Sequence, residues 1–360
     1  MHSLVVLSDQ SRWRSYFPIV FPLYKWKSLL KTHGINVIIT NDRNDKRLKN
    51  ADTVILISRV FSEWQNIQKR TPENEAALFN YLIDIKKSVK KLVWYDTSDP
   101  TGTTDFPVIP YVDSFLKNQI FKDIQLYTQN NGATSIRHWL TETTHLEDHF
   151  KKYYPCPPNE LHKIQLGWNI MLTDHRLFKG KTKIISNYIF SSPKIYPPSL
   201  DRKLGFSFRG GIDHGNKNSS ISMQRNKVIT ILNQITKYKS IVSSERVDKS
   251  TFIKELSESK IGVSPFGWGE ICYRDFEVFI AGGVMVKPSV SYLKTYPDVF
   301  IENETYIPIS WEMDELKNKL EDIIDNYPNY LHIAKNGQNA FLNGITNGEE
   351  FAEHIKKIIA

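Results

Sequence analysis

Cysteine is scarce: Cys156 and Cys272 are the only two in 360 residues. Two thiols build no disulfide framework and no structural zinc site, so a reducing, cytoplasmic setting is the expectation. Neither an HExxH nor a CxxC pattern occurs. No apolar run approaches the roughly 20 residues of a membrane-spanning helix, so any membrane contact would be peripheral. The opening stretch, with Leu4-Val5-Val6-Leu7-Ser8, reads as a strand and not as a signal peptide. Acid is outnumbered by base, 39 to 47, which leaves a net charge of +8. That mild excess fits an anionic partner or simple solubility. Low-complexity and coiled-coil chains are excluded by composition.

Aromatic residues are plentiful, with 8 Trp, 17 Tyr and 19 Phe. They supply ample surface for large cores, and the length suits about two domains. In the first half, apolar strands at Leu4–Ser8, 36–40, 53–57 and 91–95 alternate with helices over about 19–31 and 74–90. Continuous apolar strands separated by helices predict a parallel sheet covered on both faces. The stretch from about 125 to 203 is less regular and rich in proline clusters. Alternation then restarts with strands at 204–208, 240–242, 260–264 and 284–287. Helices lie between them at about 223–237, 249–259 and 271–281, and later helices begin near 313, 327 and 349. The expected class is α/β, with two Rossmann-like doubly wound domains facing a cleft. Its divisions are 1–165, a linker over 166–203, a second domain over 204–345 and a closing helix over 346–360.

The most informative segment is Ser264-Pro265-Phe266-Gly267-Trp268-Gly269-Glu270-Ile271-Cys272-Tyr273-Arg274-Asp275-Phe276-Glu277, ending at Gly282-Gly283. It reads as strand, glycine turn and helix. Gly267 and Gly269 permit a tight turn and close approach of a ligand. The amides at the helix start favour phosphate. Glu270, Arg274 and Glu277 share one helix face, where an arginine can pair with phosphate oxygens and a carboxylate can accept from adjacent hydroxyls. The same residues also fit two plain surface ion pairs. Arg209-Gly210-Gly211 follows the first strand of the second domain, and Arg209 and Arg225 are further candidates for phosphate. Asp213 and His214 follow in the same loop. Asp9, Asp96 and Asp99 end first-domain strands, where a base or nucleophile would sit; aspartate is also a common turn residue. Trp13, Trp26, Trp94 and Trp168 are candidates for sugar stacking and, more simply, for core packing.

With that segment at its centre, the stretch from about 204 to 345 resembles the GT-B glycosyltransferases, and within them the exostosin-like group. These carry a Pro-x-Gly segment, an Arg-x-x-Glu, a small-residue turn and an apolar strand. Arg274-Asp275-Phe276-Glu277, Gly282 and Val284-Met285-Val286 match that order. Glu270 and Glu277 have six residues between them where the wider family has seven. The resemblance therefore gives the ribose-holding role to Glu277, five before Gly282. It implies a nucleotide-sugar donor bound by Arg209, Gly210, Gly211, Arg225, Gly267, Gly269, Glu270, Arg274 and Glu277. It also implies a glycan or glycolipid acceptor on the first domain, closing helices that return to that domain, and no metal or other cofactor. The catalytic candidates are Asp99, Asp96 and Asp9, and no nucleic acid is expected. Peripheral contact with an anionic membrane inner face is compatible with the charge. Two alternatives stay open: a non-catalytic two-lobed protein that binds an anionic ligand or nucleic acid, and a CMP-ulosonic acid donor in place of a nucleoside-diphosphate hexose.

Overall fold

The computed structural model describes residues 1–8, 13–65, 69–129, 154–170, 193–211 and 220–360. In the first domain the strands are β1 (His2–Leu7), β2 (Ile35–Thr40), β3 (Thr53–Ile57), β4 (Lys91–Asp96), β5 (Ser114–Lys117), β6 (Gln119–Phe121) and β7 (Ile164–Leu166). Its helices are α1 (Trp13–Lys25), α2 (Lys27–Thr32), α3 (Ser62–Gln65) and α4 (Pro72–Lys86). The second domain has β8 (Leu204–Arg209), β9 (Ile241–Ser243), β10 (Ser259–Val263), β11 (Val284–Pro288), β12 (Leu293–Thr295) and β13 (Ile307–Ile309). With them run α5 (Ser220–Asn233), α6 (Lys249–Glu258), α7 (Tyr273–Ala281), α8 (Leu316–Asp325), α9 (Tyr327–Thr346) and α10 (Gly348–Ile359).

The first sheet is ordered β2-β1-β3-β4-β5-β7 and the second β13-β11-β10-β8-β9. Every pairing within them is parallel. Renumbered along the chain within each sheet, both contain the 2-1-3-4-5 order of doubly wound folds. The order in which strands are added reverses at β1 and β3 in one sheet and at β8 and β10 in the other. Loops beyond the carboxyl ends of those strands form the ligand crevice of such sheets.

Local sequence explains the elements. Val54, Ile55, Leu56 and Ile57 of β3 are all buried, because helices cover both faces of the sheet. Helix α4 starts at Thr71, whose hydroxyl accepts from the Asn74 amide at 3.3 Å, with Pro72 in the first turn. The helix expected over 19–31 is two segments meeting at Trp26, whose indole packs on Phe351 of α10 with centroids 4.9 Å apart. Strands β5, β6, β7 and β12 were not expected; each has only three or four residues.

The domains are joined by more than their linkers. β6 pairs antiparallel with β12 across the boundary. Helix α10 lies on the first domain, with Phe351 against both Trp26 and Trp168. His354 Nε2 donates to the Gly167 carbonyl at 2.8 Å. One apolar core therefore runs from the first sheet through α7, α9 and α10. Trp26, Trp94 and Trp168 are buried in it.

Among the described residues two ion pairs are fully enclosed: Lys117–Asp96 at 2.7 Å and Lys287–Asp275 at 3.3 Å. Removing one member of such a pair strands a buried charge. Lys117→Met is expected to cost about 3–5 kcal/mol in urea unfolding, and Lys117→Met combined with Asp96→Leu to recover most of it. A single-variant loss below about 1 kcal/mol would show that the pair does not matter to stability.

Candidate functional site

Beyond β10 the chain turns through residues 264–272 into α7. The amide of Cys272 donates to Asp275 Oδ2 at 2.9 Å, and Ser264 Oγ donates to Asp275 Oδ1 at 2.5 Å. Asp275 thus caps the helix and anchors the loop from inside the core. Gly282, in the left-handed region at φ 67°, ends the helix. This frame sets Arg274 and Glu277 one turn apart on neighbouring positions of the helix, with Tyr273 in the first turn beside Arg274.

Arg274 donates to the Arg209 carbonyl and lies over the Phe208 ring, 4.9 Å from its centroid. Arg225, on α5, donates to the Gly211 carbonyl. Burial, and then the charge of Arg274, lower the proton affinity of Arg225. The two guanidiniums are thus neighbours, and neither forms an ion pair with a carboxylate among the described residues. Arg225 Nε and both amide atoms of Gln224 are buried without a hydrogen-bond partner. Gln224 is only 6% exposed. Two positive groups and spare donors at the carboxyl end of β8 make a place for an anion.

Arg209 itself turns away. Its Nε and one terminal nitrogen donate to Glu255 at 2.6 and 2.8 Å, and the other terminal nitrogen donates to the Glu245 carbonyl at 3.1 Å. Glu255 therefore raises its pKa and occupies its charge. The Gly210 amide donates to the Ser243 carbonyl at 3.1 Å, while space around Gly211 is open. Glu277 is 8% exposed and accepts from Lys249 Nζ at the start of α6.

Glu270 is buried, and its Oε2 accepts from the Thr101 amide at 2.9 Å and the Thr101 hydroxyl at 3.0 Å. It is a tie from the second domain to the first. Its own carbonyl accepts from Lys287 Nζ at 2.7 Å. Beside it, a Cβ on Gly269 would stand 1.9 Å from the Asp99 carbonyl oxygen. A Cβ on Gly267 would meet only the Cys272 Cβ at 3.7 Å. Glycine is required at 269 and not at 267.

The facing wall belongs to the first domain. Asp96 is spent on Lys117, the Thr103 hydroxyl and the Ser98 amide at 2.8 Å. Burial opposes its ionisation, yet Lys117 and these donors hold it below the usual carboxylate range. Asp99 has a side chain 46% exposed, and its Oδ1 accepts from Arg59 at 3.1 Å. Arg59, just beyond β3, also donates to the Thr97 carbonyl at 2.9 Å. Tyr273 reaches this region from α7. Burial and then the Asp99 charge push its phenol up to about 12, so it remains a hydroxyl donor at neutral pH. Asp9, Asp213 and His214 lie outside the described residues.

The structure therefore brings Arg225, Arg274 and Gly211 together, places Glu277 one turn along from Arg274, and sets Asp99 against Gly269. It directs Arg209, Glu270 and Asp96 into internal pairings. Arg59, Gln224, Lys249 and Tyr273 were not singled out from sequence. Arg59 had a signal, a cation immediately after a buried strand; Lys249 reads as an ordinary surface charge.

No family model matches the chain, and no curated protein matches it. Among solved structures, a glycosyltransferase from Rickettsia africae ESF-5 is 10% identical, covers 99% of this chain and 98% of its own, and superposes with a TM-score of 0.51. Anabaena HepE in complex with UDP is 10% identical over 99% of this chain and 100% of its own, with a TM-score of 0.46. S. aureus MnaA with UDP is 12% identical over 99% and 96%, with a TM-score of 0.42. The chain has the GT-B fold, as its two doubly wound domains indicate.

The glycine requirement separates two neighbours in thermal unfolding. Gly269→Ala is expected to cost about 1–3 kcal/mol by overpacking the domain contact, and Gly267→Ala much less. Equal effects would refute the fixed contact at Asp99.

Proposed function

We propose that this protein is a glycosyltransferase, related to the exostosin-like group, that takes a sugar from a nucleotide-activated donor held by the second domain. The observation that carries this reading is the pair Arg225–Arg274: two neighbouring guanidiniums without a carboxylate, at the reversal point of the second sheet. Leaving phosphate oxygens gain charge in the transition state, and preorganised cations stabilise that charge. Glu277 receives the ribose hydroxyls, and Lys249 holds its carboxylate in place. Arg209 acts through its carbonyl, which positions Arg274.

The acceptor, a glycan or glycolipid, lies against the first domain, where peripheral contact with an anionic membrane would suit the net charge. Asp99 is the group assigned to its hydroxyl, and Arg59 orients Asp99. In the step itself the bond from the sugar anomeric carbon to the phosphate oxygen breaks. A bond to the acceptor oxygen forms, its proton passes to a carboxylate, and the nucleotide leaves with the electron pair. Charge neutralisation is assigned to arginine, so EDTA is expected to leave nucleotide binding unchanged.

Thermal-shift measurements with UDP, GDP, dTDP, CMP and an oligonucleotide test this reading. One nucleotide is expected to stabilise the wild type, and Glu277→Ala or Arg274→Met to abolish that shift. Asp99→Asn is expected to keep the shift and to lower transfer by about 10²–10⁴-fold. A shift with the oligonucleotide alone would favour a two-lobed binding protein without chemistry.

A further inference from the structure

The chain around Asp99 is pinned on both sides of that residue and at the residue itself. Before it, the Ser98 amide donates to Asp96 Oδ1 at 2.8 Å. After it, the Thr101 amide donates to Glu270 Oε2 at 2.9 Å. Between these anchors Gln119 Nε2 donates to the Asp99 carbonyl at 2.8 Å. Pro100 follows Asp99 and biases its backbone towards extended conformations.

Gln119 opens β6, where it stands in register with Thr295 of β12 in the second domain. Its main chain belongs to the ribbon that crosses the domain boundary, and its side chain grips the loop that carries Asp99. Gly269 of the second domain lies against the same Asp99 carbonyl, too close to admit a Cβ. Arg59 holds the Asp99 carboxylate, at 3.1 Å, and Gln119 holds the backbone from which that carboxylate hangs.

Stability does not account for this glutamine. It is 1% exposed, and among the described residues its Oε1 has no hydrogen-bond partner. A buried carboxamide with its acceptor unmet carries a desolvation cost that an apolar side chain of the same length avoids. Lys117, two positions earlier, already secures the start of the loop through Asp96 and, at 3.3 Å, the Ser98 hydroxyl. What Gln119 adds is a fixed place for one carbonyl, next to a half-exposed carboxylate.

We infer that Gln119 is a positioning residue for Asp99, setting the distance of that carboxylate from the second domain. This rests on the glycosyltransferase reading, in which the second domain holds the donor. Gln119 acts through Asp99, so it bears on turnover and not on donor binding. Misplacing a reacting group by about 1 Å costs up to about 10²-fold in rate.

Hydrolysis of UDP-glucose, GDP-mannose, dTDP-glucose and CMP-N-acetylneuraminate by the full chain, with water as acceptor, tests the inference. In that step the water oxygen bonds to the anomeric carbon, its proton passes to Asp99, and the nucleotide leaves with the electron pair. The donor that the wild type hydrolyses fastest serves for every variant. Gln119→Met removes the N–H at nearly constant length. It is expected to lower kcat about 10–100-fold, with KM within about twofold and Tm within about 3 °C of the wild type. Gln119→Asn folds with the same polar group drawn back by one methylene, and is expected to show the same split at smaller size. In an Asp99→Asn background Gln119→Met should cause no further loss, because both changes act through one group. An unchanged kcat, a loss carried by KM, or a loss that persists in full in the Asp99→Asn background would overturn the inference and leave the glycosyltransferase reading standing. Failure of the wild type to hydrolyse any of the four donors would overturn that reading, and this inference with it.

Discussion

The buried carboxylate of Glu270 fixes one domain to the other. It leaves the second domain, enters the first, and accepts two hydrogen bonds from Thr101. A carboxylate removed from water in this way requires its donors, so the contact specifies the placement of both partners. Gly269 can then lie directly on the Asp99 backbone. From that one junction follow the position of Asp99, the fixed turn at Trp268 and the line of approach from the first domain to Arg274. The β6–β12 ribbon and α10 reinforce the same arrangement farther away. The two domains are therefore joined by polar and apolar ties acting together.

Two aspartates next to the site have structural duties. Asp96 closes a buried pair with Lys117, and Asp275 caps α7 while it meets Lys287. Each is three positions or fewer from a residue assigned to function: Asp99 in one case, Arg274 and Glu277 in the other. Rigidity is the shared result. The groups that face the cleft sit on backbone that these buried pairs hold still, and a preorganised site stabilises charge without rearranging at the moment of reaction.

Much of the fold was legible in the sequence. The strands of 204–287 and helix α7, down to its stop at Gly282, follow from apolar runs and glycine positions. The short strands did not show, because three or four residues carry no periodicity and their partners are distant. The candidate site residues could be named from sequence by type and place, but the direction of their side chains could not. Arg209 and Arg274 look alike in sequence, and only the partner Glu255 turns Arg209 away. Glu270 looks like a ligand-binding carboxylate, yet its partner stands 169 residues earlier. Asp96 and Asp99 differ in role because Lys117, on a later strand, neutralises the first.

The central claim is that Arg225 and Arg274 form one site for linked phosphates. Comparing the affinities of a nucleoside diphosphate and the monophosphate of the same base, in wild type and Arg274→Met, tests it most directly. The account predicts a diphosphate advantage of about 100-fold in the wild type that largely closes in the variant. Equal affinity for the two nucleotides in the wild type, or an advantage that survives the loss of Arg274, would contradict it.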